Sequence, residues 1–221
     1  RQAVQSNQWQ IVSYAANQIL KIDSKSAEGF FLSGLADKYF HKKQQAISFF
    51  ETSLEIDPNR YDSAVELAHQ FAMIRRNSQA CRLLDAYASK LSNSSVYANL
   101  AGTVYTEIGL PEKAYPLHQL AFQLQPTVSS FIANLAEVSV YLGKMDEASI
   151  LYKRLISKSP LHQGNHYQLS RLKKATSYGH INEMKRILAK NHNTHDKNIF
   201  LYYAIGKELE DLEEWDEAFS F

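Results

Sequence analysis

Two histidines are spaced so that together they could bind a metal ion. His162 and His166 are four residues apart, and side chains at that spacing lie on one face of a helix. His162 closely follows Pro160, however, and no carboxylate is near the pair in the sequence to complete a ligand set. The sequence therefore favours capping or packing roles for both histidines, and we expect no metal site and no cofactor.

Positive charge concentrated between Lys153 and Lys190 is a second feature that could do chemistry. This stretch has nine basic residues and one acidic residue, Glu183. Such a cluster can bind phosphate, sulfate or an acidic protein surface. The stretch from Glu208 to Glu217 is acidic, so the alternative is a pair of solvated helix faces that this stretch partly neutralises. Nucleic acid is a poor candidate, because no recognition-helix pattern accompanies the charge.

The sequence has no residue set that is typical of catalysis. It contains no Gly-rich phosphate loop, no nucleophile elbow and no pair of carboxylates in a predicted cleft. A single cysteine, Cys81, excludes an internal disulfide framework and a thiolate metal site. We therefore expect no catalytic residue in this segment and a role in binding.

The elements that position these side chains follow a period of 34 residues. Close approach of two helices requires small side chains at their contact, so a periodic series of small residues indicates stacked helix pairs. The sequence therefore predicts an all-α fold, an α-solenoid of antiparallel helix pairs. The two series are Gly34, Ala68, Gly102, Ala136, Ser170 and, two residues late, Gly206; and Ala46, Ala80, Ala114, Ala148 and, after the same slip, Ala218.

A 34-residue period with a small residue in each of two helices resembles the tetratricopeptide repeat (TPR). The resemblance implies one array over residues 1–221, a right-handed superhelix whose concave surface is formed by the first helix of each repeat. Glycines 109 and 143 are expected at turns with positive φ, and prolines 58, 126 and 160 after second helices. The repeats are predicted at residues 27–60, 61–94, 95–128, 129–162 and 163–198, with partial repeats at 1–26 and 199–221; the repeat at 163–198 needs two extra residues, which predicts a longer internal turn.

Candidate peptide-binding residues follow from the repeat positions that face the groove in arrays resembling this one, which are positions 2, 5, 6, 9, 12 and 13 counted from the first residue of each repeat. Spacings of three, four and seven residues place each set on one helical face. These sets of side chains predict that the groove binds an extended peptide or an acidic segment. The alternative is that they form an ordinary solvated helix face that binds no ligand. The candidates are Asn99, Thr103, Asn134, Glu137, Tyr141, Tyr167, Arg171, Lys174, Tyr203 and Lys207, and the earlier repeats add Phe31, Leu35, Tyr39 and His69.

Two groove chemistries of TPR proteins do not match the sequence. A clamp for a C-terminal carboxylate uses lysine at position 5 and asparagine at position 9 of one repeat, and no repeat here has that pair. An asparagine ladder like that of the O-linked N-acetylglucosamine transferase uses position 6, where only Asn134 matches. We therefore expect the affinity for a peptide to be independent of a terminal carboxylate.

The last sixty residues are similar to one particular group of proteins. The motifs at residues 166–175, 180–184 and 204–219 resemble the last repeats of bacterial TPR–sulfotransferase proteins. In that family a sulfotransferase domain that uses 3′-phosphoadenosine-5′-phosphosulfate follows the array. The phosphosulfate loop of that domain does not occur in this chain, so the resemblance implies that this segment recruits substrate for a catalytic domain beyond Phe221.

The composition is that of a soluble globular protein. The 24 basic and 23 acidic residues nearly balance, and no apolar run approaches the ~20 residues of a membrane span. Without a secretory signal, a cytoplasmic location is expected. The chain begins at Arg1 and both ends fall inside a repeat, so we expect a piece of a longer protein whose exposed end helices favour self-association. The leading hypothesis is a non-catalytic scaffold that binds a peptide or protein segment and neither nucleic acid nor membrane.

Overall fold

A computed structural model describes residues 2–190 and 198–221 of the chain. All regular elements in these residues are helical, which confirms the predicted all-α class. The helices are α1 (Gln2–Gln5), α2 (Trp9–Ile22), α3 (Ala27–Tyr39), α4 (Lys43–Ile56), α5 (Tyr61–Met73), α6 (Asn77–Tyr87) with a 3-10 turn (Ala88–Leu91), α7 (Ser95–Glu107), α8 (Pro111–Leu124), α9 (Ser129–Tyr141), α10 (Met145–Lys158), α11 (Gln163–Ser170), α12 (Gly179–Lys190), α13 (Ile199–Asp211) and α14 (Trp215–Ala218).

The helices belong to two compact units, an N-terminal unit that ends at Leu124 and a C-terminal unit that begins at Gln125. In the N-terminal unit α3 pairs with α4, α5 with α6 and α7 with α8, and α5 also packs against α4 and α7. In the C-terminal unit α9 pairs with α10, and α13 packs against both α11 and α12. The first helices of these pairs begin at the first residues of the predicted repeats, Ala27, Tyr61, Ser95, Ser129, Gln163 and Ile199.

Proline and glycine delimit the helices where the sequence predicts them. α4 ends at Ile56, just before Pro58, and α8 and α10 likewise end two residues before prolines 126 and 160. Proline has no N–H and disfavours helix in the residue before it. Gly109 and Gly143, between the helices of their pairs, have φ of 81° and 71°. The same turn position has positive φ at Asn7, His41, Arg75 and Glu213, so four other pairs in the described residues make this turn without glycine.

The small residues predicted at helix contacts allow an aromatic ring to pack against the first helix. A Cβ built on Gly34 would lie 2.5 Å from the ring of Phe50, which is fully buried. A Cβ on Gly102 would lie 2.8 Å from the imidazole of His118, which is buried as well. Glycine is therefore required at both positions because the ring occupies the space of a side chain.

The turn between α11 and α12, in the repeat at residues 163–198, is the longer turn that the sequence predicts. α11 has eight residues and ends at Ser170, and α12 does not begin until Gly179. Two side chains of α13 bond to the backbone of this turn: Lys207 Nζ donates to the Lys173 carbonyl at 2.8 Å, and the Ala175 N–H donates to Asp211 Oδ2 at 2.8 Å. These bonds satisfy backbone groups that a longer α11 would otherwise pair.

None of the helices within residues 2–190 and 198–221 combines the length and the apolar character that crossing a membrane requires.

Candidate functional site

An open groove runs along α3 in the N-terminal unit. A cavity of about 710 Å³ is bordered by Trp9 of α2, Leu35 and Tyr39 of α3, and Val96 and Tyr97 of α7. An adjoining cavity of about 540 Å³ shares Leu35, Val96 and Tyr97 with it. Volumes of several hundred Å³ are typical of sites that enclose a ligand group. We call the two cavities together the aromatic groove.

Aromatic rings form one end of the aromatic groove. The rings of Trp9 and Tyr39 stack with centroids 5.0 Å apart, and the ring of Phe40 meets Tyr39 edge to face. Tyr39 is 51% exposed and Val96 is 59% exposed, so both can contact a ligand without unfolding. Large rigid side chains lose little conformational entropy on binding, which suits this end to an apolar group.

A buried ion pair lies in the wall of the larger cavity. Lys38 Nζ is 2.7 Å from Glu66 Oε2, and the Glu66 side chain is only 8% exposed. His69 is one turn further along α5 from Glu66. Burial, and then the charge of Lys38, lowers the pKa of His69 to about 4, so its imidazole is neutral at pH 7. The larger cavity therefore presents apolar rings and a neutralised charge pair.

A second cation lies at the other end of the aromatic groove. Arg60 Nη1 is 2.7 Å from Glu28 Oε2 and Nη2 is 2.6 Å from Asp62 Oδ2. Its guanidinium also lies over the ring of Phe31, 4.6 Å from the centroid. The Arg60 side chain is 12% exposed, so its charge is directed at protein groups. Asp57 borders this smaller cavity as well.

Two predicted groove residues in the N-terminal unit have partners within the protein. Asn99 Oδ1 accepts a hydrogen bond from His118 Nδ1 at 3.1 Å. Thr103 Oγ1 donates to the Asn99 carbonyl one turn earlier, at 3.1 Å. Both side chains are half-buried. Asn99 thus positions the imidazole of His118, whose pKa burial lowers to about 4.

Three predicted groove residues lie on α9 as the spacing predicts. Asn134 is half-buried, whereas Glu137 and Tyr141 are exposed. Tyr141 Oη donates to Glu137 Oε1 at 2.9 Å, one turn apart on the same face. This bond raises the pKa of the Tyr141 phenol, because ionisation would place a second negative charge beside the carboxylate.

The prediction that Tyr167, Arg171 and Lys174 share a helical face is wrong. α11 ends at Ser170, so Arg171 is its C-cap and Lys174 lies in the turn. The periodicity of a helix does not apply beyond its end, and α13 holds the turn by the bonds of Lys207 and Asp211. Arg171 folds back onto its own helix, with its guanidinium 5.3 Å from the ring centroid of Tyr167.

The last two predicted residues border a cavity of about 440 Å³ on α13. Tyr203 is 64% exposed there, beside Tyr202 and Glu210. Lys207 borders the same cavity, but its Nζ is 2.5 Å from Asp211 Oδ2 and also donates to the Lys173 carbonyl. Tyr203 is therefore the more accessible of the two.

Four of the nine basic residues between Lys153 and Lys190 bond to other groups of the C-terminal unit. Lys173 pairs with Asp146, and Lys185 Nζ is 2.5 Å from Glu217 Oε1 in the acidic stretch. Arg154 donates to the Pro126 carbonyl at 2.7 Å, and Lys158 donates to the Thr127 carbonyl. These contacts favour the alternative in which the basic residues lie on solvated helix faces and the acidic stretch neutralises part of their charge.

The two histidines with metal-binding spacing have separate environments. His162 is exposed before α11, and His166 is fully buried within it. His166 Nε2 is 2.7 Å from the Pro160 carbonyl, and its Nδ1 is 2.9 Å from His180 Nε2. His180 Nδ1 is 2.6 Å from Glu208 Oε1, which extends the chain of bonds to α13. Among the described residues, no group of three or more His, Cys, Asp or Glu side chains could hold a metal ion.

The protons in this network can be assigned from its donors and acceptors. A carbonyl oxygen only accepts, so His166 Nε2 donates to Pro160. Burial lowers the pKa of His166, which favours its neutral form, and its Nδ1 then accepts from His180 Nε2. The bond between His180 Nδ1 and Glu208 needs one further proton. The network therefore links the Pro160 carbonyl, through both imidazoles, to the Glu208 carboxylate of α13.

Sequence reasoning placed Leu35, Tyr39 and Phe31 on the groove but missed other lining residues. Val96 is at position 2 of its repeat and Glu66 at position 6, so the groove positions do include them. Trp9 begins α2, the second helix of a partial repeat, and the groove positions describe first helices only. Its contact with Tyr39 depends on tertiary packing.

Comparisons with known proteins agree with this fold. Neither a family model nor a curated protein sequence matches the chain. The solved structure of YrrB, described as a TPR protein with an unusual peptide-binding site, is 14% identical with a TM-score of 0.63, over 93% of this chain and 96% of that one. PilF of Pseudomonas aeruginosa is 20% identical with a TM-score of 0.63, over 87% and 88%.

A third solved structure is a tetratricopeptide repeat protein from Parabacteroides merdae. It is 12% identical with a TM-score of 0.59, over 98% of this chain and 85% of that one. At such low sequence identity, similarity between structures is evidence about the fold alone. The fold of this chain is that of the tetratricopeptide repeat.

Proposed function

We propose that this chain is a non-catalytic interaction module that binds a peptide segment of a partner protein in the aromatic groove. The observation that carries the proposal is the pair of adjoining cavities, about 710 and 540 Å³, along α3. Tyr39 and Val96 border the larger cavity and are exposed to solvent. Contiguous exposed apolar surface is typical of interaction sites.

The polar groups of the aromatic groove support binding over catalysis. Lys38 and Arg60 line the groove and are held by carboxylates, and His69, behind Glu66 on α5, has a lowered pKa of about 4. A general base or an activated nucleophile that works at pH 7 must be a side chain in the groove that can gain or lose a proton near that pH. YrrB, which shares the fold, has a peptide-binding site, and this supports the same kind of ligand here.

A tryptophan allows occupancy of the aromatic groove to be measured directly. The chain has two tryptophans, and Trp215→Phe leaves Trp9, which borders the larger cavity, as the only one. In that background we would titrate synthetic dodecapeptides, each with one central leucine or phenylalanine, and record Trp9 emission. Fluorescein-labelled copies would give Kd by anisotropy. Amidated and free-acid forms should bind equally, because no carboxylate clamp is present in the sequence.

The matched variants are Val96→Glu in the aromatic groove and Ile150→Glu on α10 of the C-terminal unit. Both side chains are exposed, 59% and 68%, so neither substitution should unfold the protein. Val96→Glu should weaken binding by about tenfold or more, since a charge would enter an apolar contact. Ile150→Glu should leave Kd unchanged. Peptide binding that Val96→Glu does not affect would overturn the proposal.

One observation favours a second candidate, recruitment of substrate for a sulfotransferase domain. The long turn between α11 and α12, residues 171–178, falls among the motifs by which the C-terminal sixty residues resemble TPR–sulfotransferase repeats. The test is the coding sequence downstream of Phe221. A phosphosulfate-binding loop there would support this candidate, and a stop codon or further repeats would remove it.

A further inference from the structure

We propose that the peptide recognised by the aromatic groove carries a large apolar side chain and a basic side chain three or four residues apart. This inference rests on the proposed function and adds the chemical class of the ligand. It follows from the different character of the two ends of the groove.

The end near Tyr39 accepts an apolar group. Trp9, Tyr39, Phe40 and Val96 border the larger cavity there, and its one ion pair is internal. Lys38 Nζ lies 2.7 Å from Glu66, so the cation is neutralised. An aliphatic or aromatic side chain would be enclosed by rings at this end.

The end near Phe31 is acidic. Its cation, Arg60, is held by both Glu28 and Asp62 and is 12% exposed. Asp57 borders the same cavity. Two carboxylates thus hold one cation, a third carboxylate borders the same cavity, and the Glu28 side chain remains 31% exposed. Burial raises the pKa of the Tyr97 phenol, so this shared wall adds no charge at pH 7. A lysine or arginine is attracted to such a surface, and a carboxylate is repelled.

The distance between the two ends sets the spacing in the ligand. Phe31 and Tyr39 are eight residues apart on α3, a rise of about 12 Å at 1.5 Å per residue. An extended peptide advances about 3.3 Å per residue, so about 12 Å corresponds to three or four residues. Both chain directions satisfy this distance, and the test includes both.

The probes are acetylated, amidated Gly/Ser dodecapeptides with fluorescein at one end. One pair contains phenylalanine and arginine four residues apart, in either order; a second pair has glutamate for arginine; a third has glycine for phenylalanine. At low salt the better Phe/Arg peptide should bind about tenfold or more tightly than its Glu counterpart. Added salt should reduce the ratio of the two affinities, because salt screens the partly exposed charges. The peptides without phenylalanine should bind weakly.

The charge preference should depend on the acidic end of the groove. The Glu28→Gln/Asp57→Asn double variant keeps the shape, and the new amide oxygen at position 57 can still accept the Asn59 N–H that Asp57 Oδ1 accepts at 3.0 Å. It should reduce the Arg-over-Glu ratio several-fold while retaining binding of the apolar group. Glu210→Gln, exposed on α13 of the C-terminal unit, is the matched control and should leave the ratio unchanged.

Two results would overturn different claims. If the Glu peptide binds as tightly as the Arg peptide, and both lose binding in Val96→Glu, the ligand class is wrong and the proposed function stands. If none of the peptides shows binding that depends on Val96, both claims are wrong.

Discussion

The two compact units use the same kind of helix pair differently. In the N-terminal unit, α3 and α7 border the aromatic groove, and the cations beside it are neutralised within its walls. In the C-terminal unit, His166 of α11 and Glu208 of α13 both bond to His180 of α12, and Lys207 of α13 bonds to the turn between α11 and α12. Side chains on the first helix of a pair can thus border an open cavity, as in the N-terminal unit, or form hydrogen bonds within the protein, as in the C-terminal unit.

The cause of the difference is local. α3 has thirteen residues, so Phe31, Leu35 and Tyr39 are in register along its face. α11 has eight residues, and its turn requires partners for backbone groups that a helix would satisfy. Lys207 and Asp211 supply those partners. A departure of a few residues from the repeat therefore converts a predicted ligand-binding side chain into a structural one.

The largest expected effect compares one glycine from each unit. Gly34→Ala should destabilise the N-terminal unit by about 2–3 kcal/mol, because the new Cβ would lie 2.5 Å from the buried Phe50 ring. Gly206→Ala should stabilise α13 by about 0.5–1 kcal/mol, since the nearest atom, the Ala218 carbonyl oxygen, is 3.7 Å from the Cβ. Urea unfolding followed by Trp9 emission reports the first variant, and Trp215 emission the second. If both substitutions changed the free energy of unfolding equally, Gly34 and Gly206 would be packed alike, contrary to this expectation.

The histidine network gives a second contrast within the C-terminal unit. His166→Phe should cost about 1–2 kcal/mol, because the Pro160 carbonyl loses its donor and His180 Nε2 loses its acceptor. His162→Phe, four residues earlier and exposed, should change stability by less than about 0.5 kcal/mol. Urea unfolding in the Trp9→Phe background measures both. If the two variants are equally stable, the network contributes little to this unit.

The smallest expected effect is a pH dependence in the N-terminal unit. The pKa of His118 is about 4 in the folded protein, below the ordinary value of about 6.5 in the unfolded chain. As pH falls through 6.5 the unfolded chain takes up a proton that folded His118 does not, so stability falls. Between pH 7.5 and pH 6 this amounts to about 0.8 kcal/mol.

The variant His118→Phe should remove this share of the pH dependence, and His162→Phe should leave it intact. The free energy of unfolding at both pH values, from urea titrations that follow Trp9 emission, measures the difference. A pH dependence identical in His118→Phe and the parent protein would contradict the assignment.

Particular residues show how far prediction from sequence reached. The spacing of Gly34 and Gly102 predicted close helix contacts, and both glycines lie under buried rings. Phe31, Leu35 and Tyr39 were predicted to face a groove, and all three border the aromatic groove. Arg171 and Lys174 were misplaced, because the end of a helix depends on competing bonds from α13 that periodicity does not describe.

Residue spacing was sufficient to predict the all-α repeat fold, its turns and the longer turn between α11 and α12. These features depend on local backbone preferences and on side-chain size at fixed intervals, which are written into a linear sequence. The open groove beside α3 and the hydrogen-bond network of His166, His180 and Glu208 emerged only from the folded structure. Both join side chains that are distant in the chain, and whether such groups meet a ligand or one another depends on how the helices pack.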